Sequence, residues 1–279
     1  MNTTTIHKYE TVTVEEVNGT DGKIVYVYLN RPKQRNACST QLLDDMAKAY
    51  TTLSYNYKVR VIILAGRGKS FCAGADFSAP PNKGLGTKLD TFREVRHATK
   101  SWDRAGAALR NSDAITIAKV HGHASGGGLG IAFINDLVIM EESTRCWLPE
   151  VELGTPMIGG LTPIFASIVG PKRAMEMILM GEDVPPVELK QMGLVNRVVK
   201  GEKSLDDVTH HFATTIAKQY EPALHSVKLM FKGIYHREQM GNITNFDGDT
   251  SLIGGLWDKA SGRQNSGLIR DNTDGRSKM

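Results

Sequence analysis

The sequence predicts an α/β protein, and three features carry that prediction. Short β-branched runs alternate with stretches of helical apolar spacing. Glycine-rich turns stand where two of those runs end. Beyond about residue 171 the strand signals fade and helical stretches follow.

The elements come in this order. Residues 23–29 (Lys-Ile-Val-Tyr-Val-Tyr-Leu) are β-branched and aromatic and predict a strand. Residues 30–36 (Asn-Arg-Pro-Lys-Gln-Arg-Asn) form a loop. Leu42, Leu43, Met46, Ala47, Tyr50 and Leu53 recur at helical spacing and predict a helix over 40–55. Residues 59–65 form a buried type of strand, closed by Gly66. Residues 78–88 hold two prolines and two glycines and predict a loop. A helix is expected over 89–109, and strands over 114–120 and 137–140. Further helices are expected over 172–180, 205–219 and 223–238. The division is an α/β core over 1–200 and a helical C-terminal region over 201–279. Such a region cannot bury its apolar faces alone, so it caps the core or packs on another subunit.

Composition narrows the function. With 279 residues the chain can bury a large core, and 41% hydrophobic with 23% charged residues is ordinary for a globular protein. The net charge of +4 is too weak to indicate nucleic-acid binding, but it suits an anionic small molecule. Cys38, Cys72 and Cys146 cannot all pair and lack metal-ligand spacing, so neither a disulfide framework nor a metal site is expected. No apolar run approaches membrane-spanning length, and residues 1–10 carry no signal-peptide core.

Glycine stands at 28 of 279 residues, against a usual ~7%. The densest cluster is Gly122-His-Ala-Ser-Gly-Gly-Gly128, with Gly130 close behind, between a strand and an apolar stretch. A glycine turn opening a helix exposes free N–H groups and the positive end of the helix dipole, a place for phosphate or a transient oxyanion. The cluster fits neither a dinucleotide fingerprint, whose third glycine would fall on Ile131, nor a P-loop, since no Lys-Ser/Thr pair follows. A second segment, Phe71-Cys-Ala-Gly-Ala-Asp76, puts small-residue backbone at another strand end, where α/β proteins hold ligands. Together the two offer a two-donor oxyanion hole. A third segment, Leu148-Pro-Glu-Val-Glu-Leu-Gly154, sets Glu150 among apolar neighbours, where burial can tune a general base.

These pieces resemble the crotonase superfamily, the enoyl-CoA hydratase/isomerase family. The matching stretches run in family order: 29–37, 61–76, 122–128, 149–154 and 174–198. The resemblance implies a crotonase (ClpP-like) fold of stacked β-β-α units. It further implies a C-terminal helical trimerisation region, and a homotrimer or dimer of trimers. It implies an acyl-CoA thioester as substrate, no separate cofactor since coenzyme A belongs to the substrate, no metal and no nucleic acid. By the same resemblance, Ala75 and Gly127 supply the amides that hold the thioester oxygen. Ala73, Gly74, Asp76, Phe77 and Gly126 lie along the substrate, and Arg31 and Lys33 lie toward the CoA phosphates. Arg35 shares that basic loop.

Glu150 falls on the family's second acid/base glutamate. The first would fall at Gly130, which has no carboxylate. A single glutamate resembles the Δ3,Δ2-enoyl-CoA isomerases, in which one base takes a proton from C2 and returns it at C4. The dienoyl-CoA isomerases carry an acid where Gly130 stands and fit less well. A hydratase or hydratase-lyase using Glu150 and a bound water is the alternative. A non-catalytic CoA- or RNA-binding homologue is a third.

Other candidates have plainer readings. In an extended chain Glu152 faces away from Glu150. His97 and His123 read as packed or surface histidines, Asp76 as a turn cap, and Ser125 as a weak hydrogen-bonding candidate near the thioester. Tyr235 and Trp257 read as helix-face packing. The ending Ser277-Lys278-Met279 resembles the Ser-Lys-Leu peroxisomal address, with a cytoplasmic location as the alternative.

Overall fold

A computed structural model describes residues 2–76 and 88–235. Phe77, Trp257 and the terminal tripeptide lie outside the described residues, as does most of the loop expected over 78–88.

The main sheet has seven strands in the order β1-β2-β3-β4-β5-β7-β9. β1 (Thr3–Lys8), β2 (Val12–Val17) and β3 (Ile24–Leu29) pair antiparallel. From β3 onward the pairing is parallel, through β4 (Val61–Gly66), β5 (Ile115–Val120), β7 (Leu137–Glu141) and β9 (Arg197–Val199). β6 (His123–Ser125) and β8 (Arg145–Trp147) form a separate parallel pair.

β3 and β4 read as unbroken apolar runs because both faces of the sheet are covered there. On one face Val25, Val27, Leu29, Ile62, Leu64, Ala118 and Val120 share a core with Leu42, Leu43, Met46 and Tyr50 of α1 (Thr40–Ser54). That core extends to α2 (Lys88–Asn111), α3 (Gly127–Ile134), α4 (Leu161–Val169) and α5 (Pro171–Met180). On the other face Ile24, Tyr26, Val61, Ile63, Ala65, Ile117 and Ile139 meet Leu205, Ala213 and Ala217, which belong to the helix over Glu202–Ala217. Each fully buried aliphatic side chain contributes ~2 kcal/mol through this burial.

The helix over 40–55 starts where expected: the Ser39 hydroxyl accepts from the Leu42 N–H at 3.2 Å and caps it. The strands and helices expected between 23 and 235 all appear, with ends shifted by one to three residues. β9 corrects the expectation that strands end near residue 171. It is three residues long, partly exposed and closes the sheet against β7, too short for a periodic signal. β1 and β2 lie ahead of the first expected strand; β1 is a largely exposed edge of polar residues. The short helix α6 (Pro186–Gln191) precedes β9.

The C-terminal helices divide. α7 (Glu202–Ala217) belongs to the core of the second face. α8 (Glu221–Tyr235) is tied to the sheet by ion pairs from Lys228 to Asp136 and from Arg60 to Glu221, the latter at 3.0 Å. It leaves Val227, Leu229, Met230 and Phe231 exposed. Among the described residues no helix is long and apolar enough to cross a membrane.

The loop over 30–36 is held by one side chain. Asn36 is fully buried, in left-handed conformation at φ 56°. Its amide donates to the carbonyls of Arg67 (2.9 Å) and Ser70 (2.8 Å), and its side-chain oxygen accepts from the Arg31 N–H (2.9 Å). It thereby fixes the loop after β3 to the loop after β4. Each buried group left unpaired costs ~1–3 kcal/mol. Asn36→Ala is therefore expected to lower the unfolding free energy by roughly 3 kcal/mol in urea denaturation. A loss below about 0.5 kcal/mol, the level of an indifferent surface substitution, would contradict this role.

Candidate active site

The site forms where three chain segments meet beyond the carboxyl ends of β4 and β5. The first is 72–76. Cys72 donates its N–H to His123 and accepts from Ser125, which docks this segment on β6. Further along, the Cys38 N–H donates to Gly74, and the Asp76 N–H donates to Cys38, at 2.7 and 3.1 Å. Those two bonds flank Ala75. In an extended chain successive residues turn their amides to opposite sides, so the Ala75 N–H turns away from Cys38. Gly74 is pressed on β6: a Cβ there would lie 2.7 Å from the Ser125 carbonyl oxygen.

The second segment is the glycine turn. The Gly126 N–H donates to Trp147 at 2.9 Å, and the first α3 bond runs from the Gly130 N–H to the Gly126 carbonyl at 3.0 Å. The N–H groups of residues 127–129 precede that bond and have no acceptor within the helix. Gly127 is half-buried while Gly126 and Gly128 are buried, so the turn opens at Gly127. Its missing side chain is filled by the Trp102 ring, whose Cη2 stands 2.3 Å from where a Cβ would be.

The third segment carries Glu150. It lies in a turn, not an extended chain: the Leu153 N–H donates to Pro149 and the Thr155 N–H to Glu150, each at 2.9 Å. Glu152 projects from this turn and is exposed, so its separation from Glu150 comes from the turn and not from strand alternation. Glu150 itself is 5% exposed, and its Oε2 has no hydrogen-bond partner among the described residues. Its Oε1 lies 2.7 Å from where a Cβ on Gly126 would stand, and Gly126 has φ 50°. A side chain at 126 would therefore be strained and would collide with the carboxylate. Burial pushes the Glu150 carboxyl up to about 7.

The remaining candidates fall around this centre. Ala73 donates its N–H to Arg35 at 3.0 Å and accepts the Ser125 hydroxyl proton at 2.8 Å, so Ser125 braces the segment. Asp76 is an ion-pair partner: its carboxylate meets the Arg31 guanidinium at 2.7 Å. Arg31 also donates to the Ala37 carbonyl, which makes it a brace between the 30–36 loop and the 72–76 segment. Lys33 and Arg35 are exposed on that loop. His123 lies 3.2 Å from the Ser70 hydroxyl and edge-on to Trp147; burial, then Arg35 and Arg145, hold its ring below the usual histidine range. His97 is exposed on α2.

Gly130 is buried in α3, and a Cβ there would lie 2.2 Å from Leu161 Cδ1. The space beside residue 130 is filled by an aliphatic side chain. Trp102 and Leu161 were not among the sequence candidates. Their signal is indirect: glycines at 127 and 130 share one helix face and admit large neighbours from elsewhere.

The model for the enoyl-CoA hydratase/isomerase family matches residues 19–268. A probable enoyl-CoA hydratase of Mycobacterium bovis is 34% identical over 221 residues, covering 79% of this chain and 80% of its own. The peroxisomal Δ(3,5)-Δ(2,4)-dienoyl-CoA isomerase of Arabidopsis thaliana is 31% identical, covering 77% of each. The crystal structure of an enoyl-CoA hydratase from Bacillus halodurans superposes with a TM-score of 0.79 at 18% identity, over 88% of this chain and 95% of that one, which shows the shared fold.

Glu150 also sets a stability signature. Its folded-state value lies above the unfolded one, so the native state holds this proton more tightly, and ionising it costs stability. That cost is absent at low pH, grows between about 4.5 and about 7, and stays constant above. Glu150→Gln is expected to stabilise the fold at pH 8 by on the order of 3 kcal/mol and at pH 5 by under about 1 kcal/mol. Denaturant unfolding at both pH values measures this. Equal effects at both would contradict a buried, raised carboxyl.

Proposed function

The chain belongs to the enoyl-CoA hydratase/isomerase family, and we propose that within it the chain shifts a double bond, from 3-enoyl-CoA to 2-enoyl-CoA, with Glu150 as the one acid/base. The observation that carries this reading is the pair Gly130 and Leu161. Where a second carboxylate would be needed to hold and split water, residue 130 is glycine and the Leu161 side chain fills the space beside it.

The proposed steps are these. The thioester oxygen lies against the Ala75 and Gly127 N–H groups, the Gly127 donor at the positive end of α3. The Glu150 carboxylate takes a proton from C2. The electron pair of that C–H bond flows into the thioester and leaves charge on its oxygen. Fixed amide donors favour that charged oxygen over the neutral carbonyl, and loss of one such donor costs ~3–4 kcal/mol of barrier. The electrons return to form the C2–C3 double bond as the C3–C4 double bond gives up its π pair, which becomes the new C4–H bond. C4 takes the proton back from Glu150. No atom is gained or lost, and no water is held. A carboxyl poised near neutrality suits both halves of the shuttle.

Arg31, Ala73, Gly74, Asp76 and Gly126 fit the thioester and the start of the CoA arm, with Arg31 acting through Asp76. Lys33, exposed on the same loop, fits the phosphates. A homotrimer belongs to the same proposal: α5 and α8 leave Met175, Leu179, Met180, Val227, Met230 and Phe231 exposed, a surface that calls for cover. The second reading is hydration through Glu150 and a bound water, favoured by the name of the mycobacterial relative.

Incubation with 3-enoyl-CoAs and 2-enoyl-CoAs of several chain lengths, with products identified by mass and double-bond position, tests the proposal. Isomerisation without a mass gain of one water is expected. The acid limb of kcat/KM is expected to rise through about pH 7, as the carboxylate form is the base. Glu150→Gln is expected to lower kcat at least about 10³-fold while folding normally. A 3-hydroxyacyl-CoA as the sole product favours hydration, and native-rate isomerisation by Glu150→Gln overturns the assignment of the base.

A further inference from the structure

Consecutive glycines leave a backbone freer than any other run, whereas an oxyanion donor acts only if it is fixed before charge develops. Each glycine of the turn is held by a different neighbour. Gly126 meets the Glu150 carboxylate. Gly128 meets Cys72, whose carbonyl oxygen and Sγ stand 2.5 and 2.8 Å from where a Cβ would be. Gly127 meets Trp102, whose Cη2, Cζ3 and Cζ2 stand 2.3, 2.7 and 3.1 Å from where its Cβ would be. The outer edge of the indole thus bears on the Gly127 Cα, and the amide nitrogen is one bond, about 1.5 Å, from that atom.

Trp102 is itself firmly seated. With Ala105 and Leu109 it forms a buried stripe at i, i+3 and i+7 of α2, in the core shared with α1. Its Cβ lies 3.5 Å from where a Cβ on Gly159 would stand, so the side chain runs from the Gly159 turn to the glycine turn. Glu150 and Cys72 belong to the segments that build the site, but Trp102 comes from outside them. What separates its contact from ordinary core packing is the residue it bears on. Gly127 is where the turn opens, and its N–H precedes the first α3 bond.

We propose that Trp102 is the positioning residue of the oxyanion hole, its indole edge fixing the direction of the Gly127 N–H. This rests on the oxyanion hole of the function proposed above, and it holds for isomerisation and hydration alike, since both place charge on the thioester oxygen. Phenylalanine at 102 lacks the outer ring edge, so it keeps the packing at Gly159 and loses the contact with Gly127. A donor displaced by about 1 Å costs on the order of 10²-fold in rate.

Butanoyl-CoA labelled with 13C at the carbonyl has no double bond to move and reports on the hole apart from turnover. Infrared difference spectra and titration calorimetry with this thioester compare the wild-type chain with Trp102→Phe, alongside kcat on the enoyl-CoA that the wild type turns over. In Trp102→Phe the carbonyl band is expected to return at least about halfway to its position in water. kcat is expected to fall on the order of 10²-fold, and the dissociation constant to change by under about fivefold. Gly127→Ala puts a methyl group where the indole edge lies and is expected to lower kcat too. In the double variant that methyl fills the space the phenylalanine leaves, and kcat is expected to exceed that of either single variant. Trp102→Leu, which also lacks the outer edge, gives the same reading should the phenylalanine variant not fold. An unmoved band in Trp102→Phe, or a loss of stability with kcat unchanged, overturns the positioning role and leaves the proposed function standing. A wild-type band at its aqueous position, or no binding of butanoyl-CoA, overturns both.

Discussion

A carboxylate buried against backbone is costly to ionise, and in the proposed mechanism that cost at Glu150 tunes the base. Among the described residues its Oε2 lacks a partner, and its Oε1 occupies space that glycine at 126 leaves open. Water that would stabilise the ion is excluded, so the proton affinity rises toward neutrality. That same exclusion lets the nearby amides act with little screening. Stability is given up at this position, and the two covered faces of the sheet supply it elsewhere.

The surrounding network serves to hold three segments at one point. Asn36 binds the loop after β3 to the loop after β4, and the Arg31–Asp76 pair joins that loop to the 72–76 segment. Cys38 brackets Ala75 by hydrogen bonds to the residues on either side. β6, paired with β8, seats the glycine turn beside the segment that carries Glu150. Backbone geometry thus depends on a few buried polar contacts between loops, while the helices contribute apolar packing. Trp102 and Leu161 fill the hollows left by Gly127 and Gly130, so those glycines are shaped for neighbours as much as for a ligand.

Much of this was legible in the residues. β3, β4, β5, β7 and the helices α1, α2, α5, α7 and α8 carry periodic or continuous apolar signals, whereas α4 and α6 were not among the expected elements. The glycine cluster, the 71–76 segment and Glu150 stood out as unusual backbone and an unusual carboxylate neighbourhood. What escaped was set by contacts between distant segments. β9 is too short to show a period, and the partners of Asp76 and Gly130 lie 45 and 31 residues away. The turn at Glu150 misled for a local reason: the apolar and acidic residues alternate there as in a strand, but Pro149 and Gly154 bend the chain.

The vibration of a bound thioester carbonyl tests the central claim most directly. Infrared difference spectra of a 13C-labelled acyl-CoA on the Glu150→Gln protein isolate the carbonyl stretch without turnover. Two amides gripping the oxygen weaken the C=O bond, so the band is expected to move below its frequency in water. A band at or above the aqueous position would mean that residues 75 and 127 do not hold that oxygen.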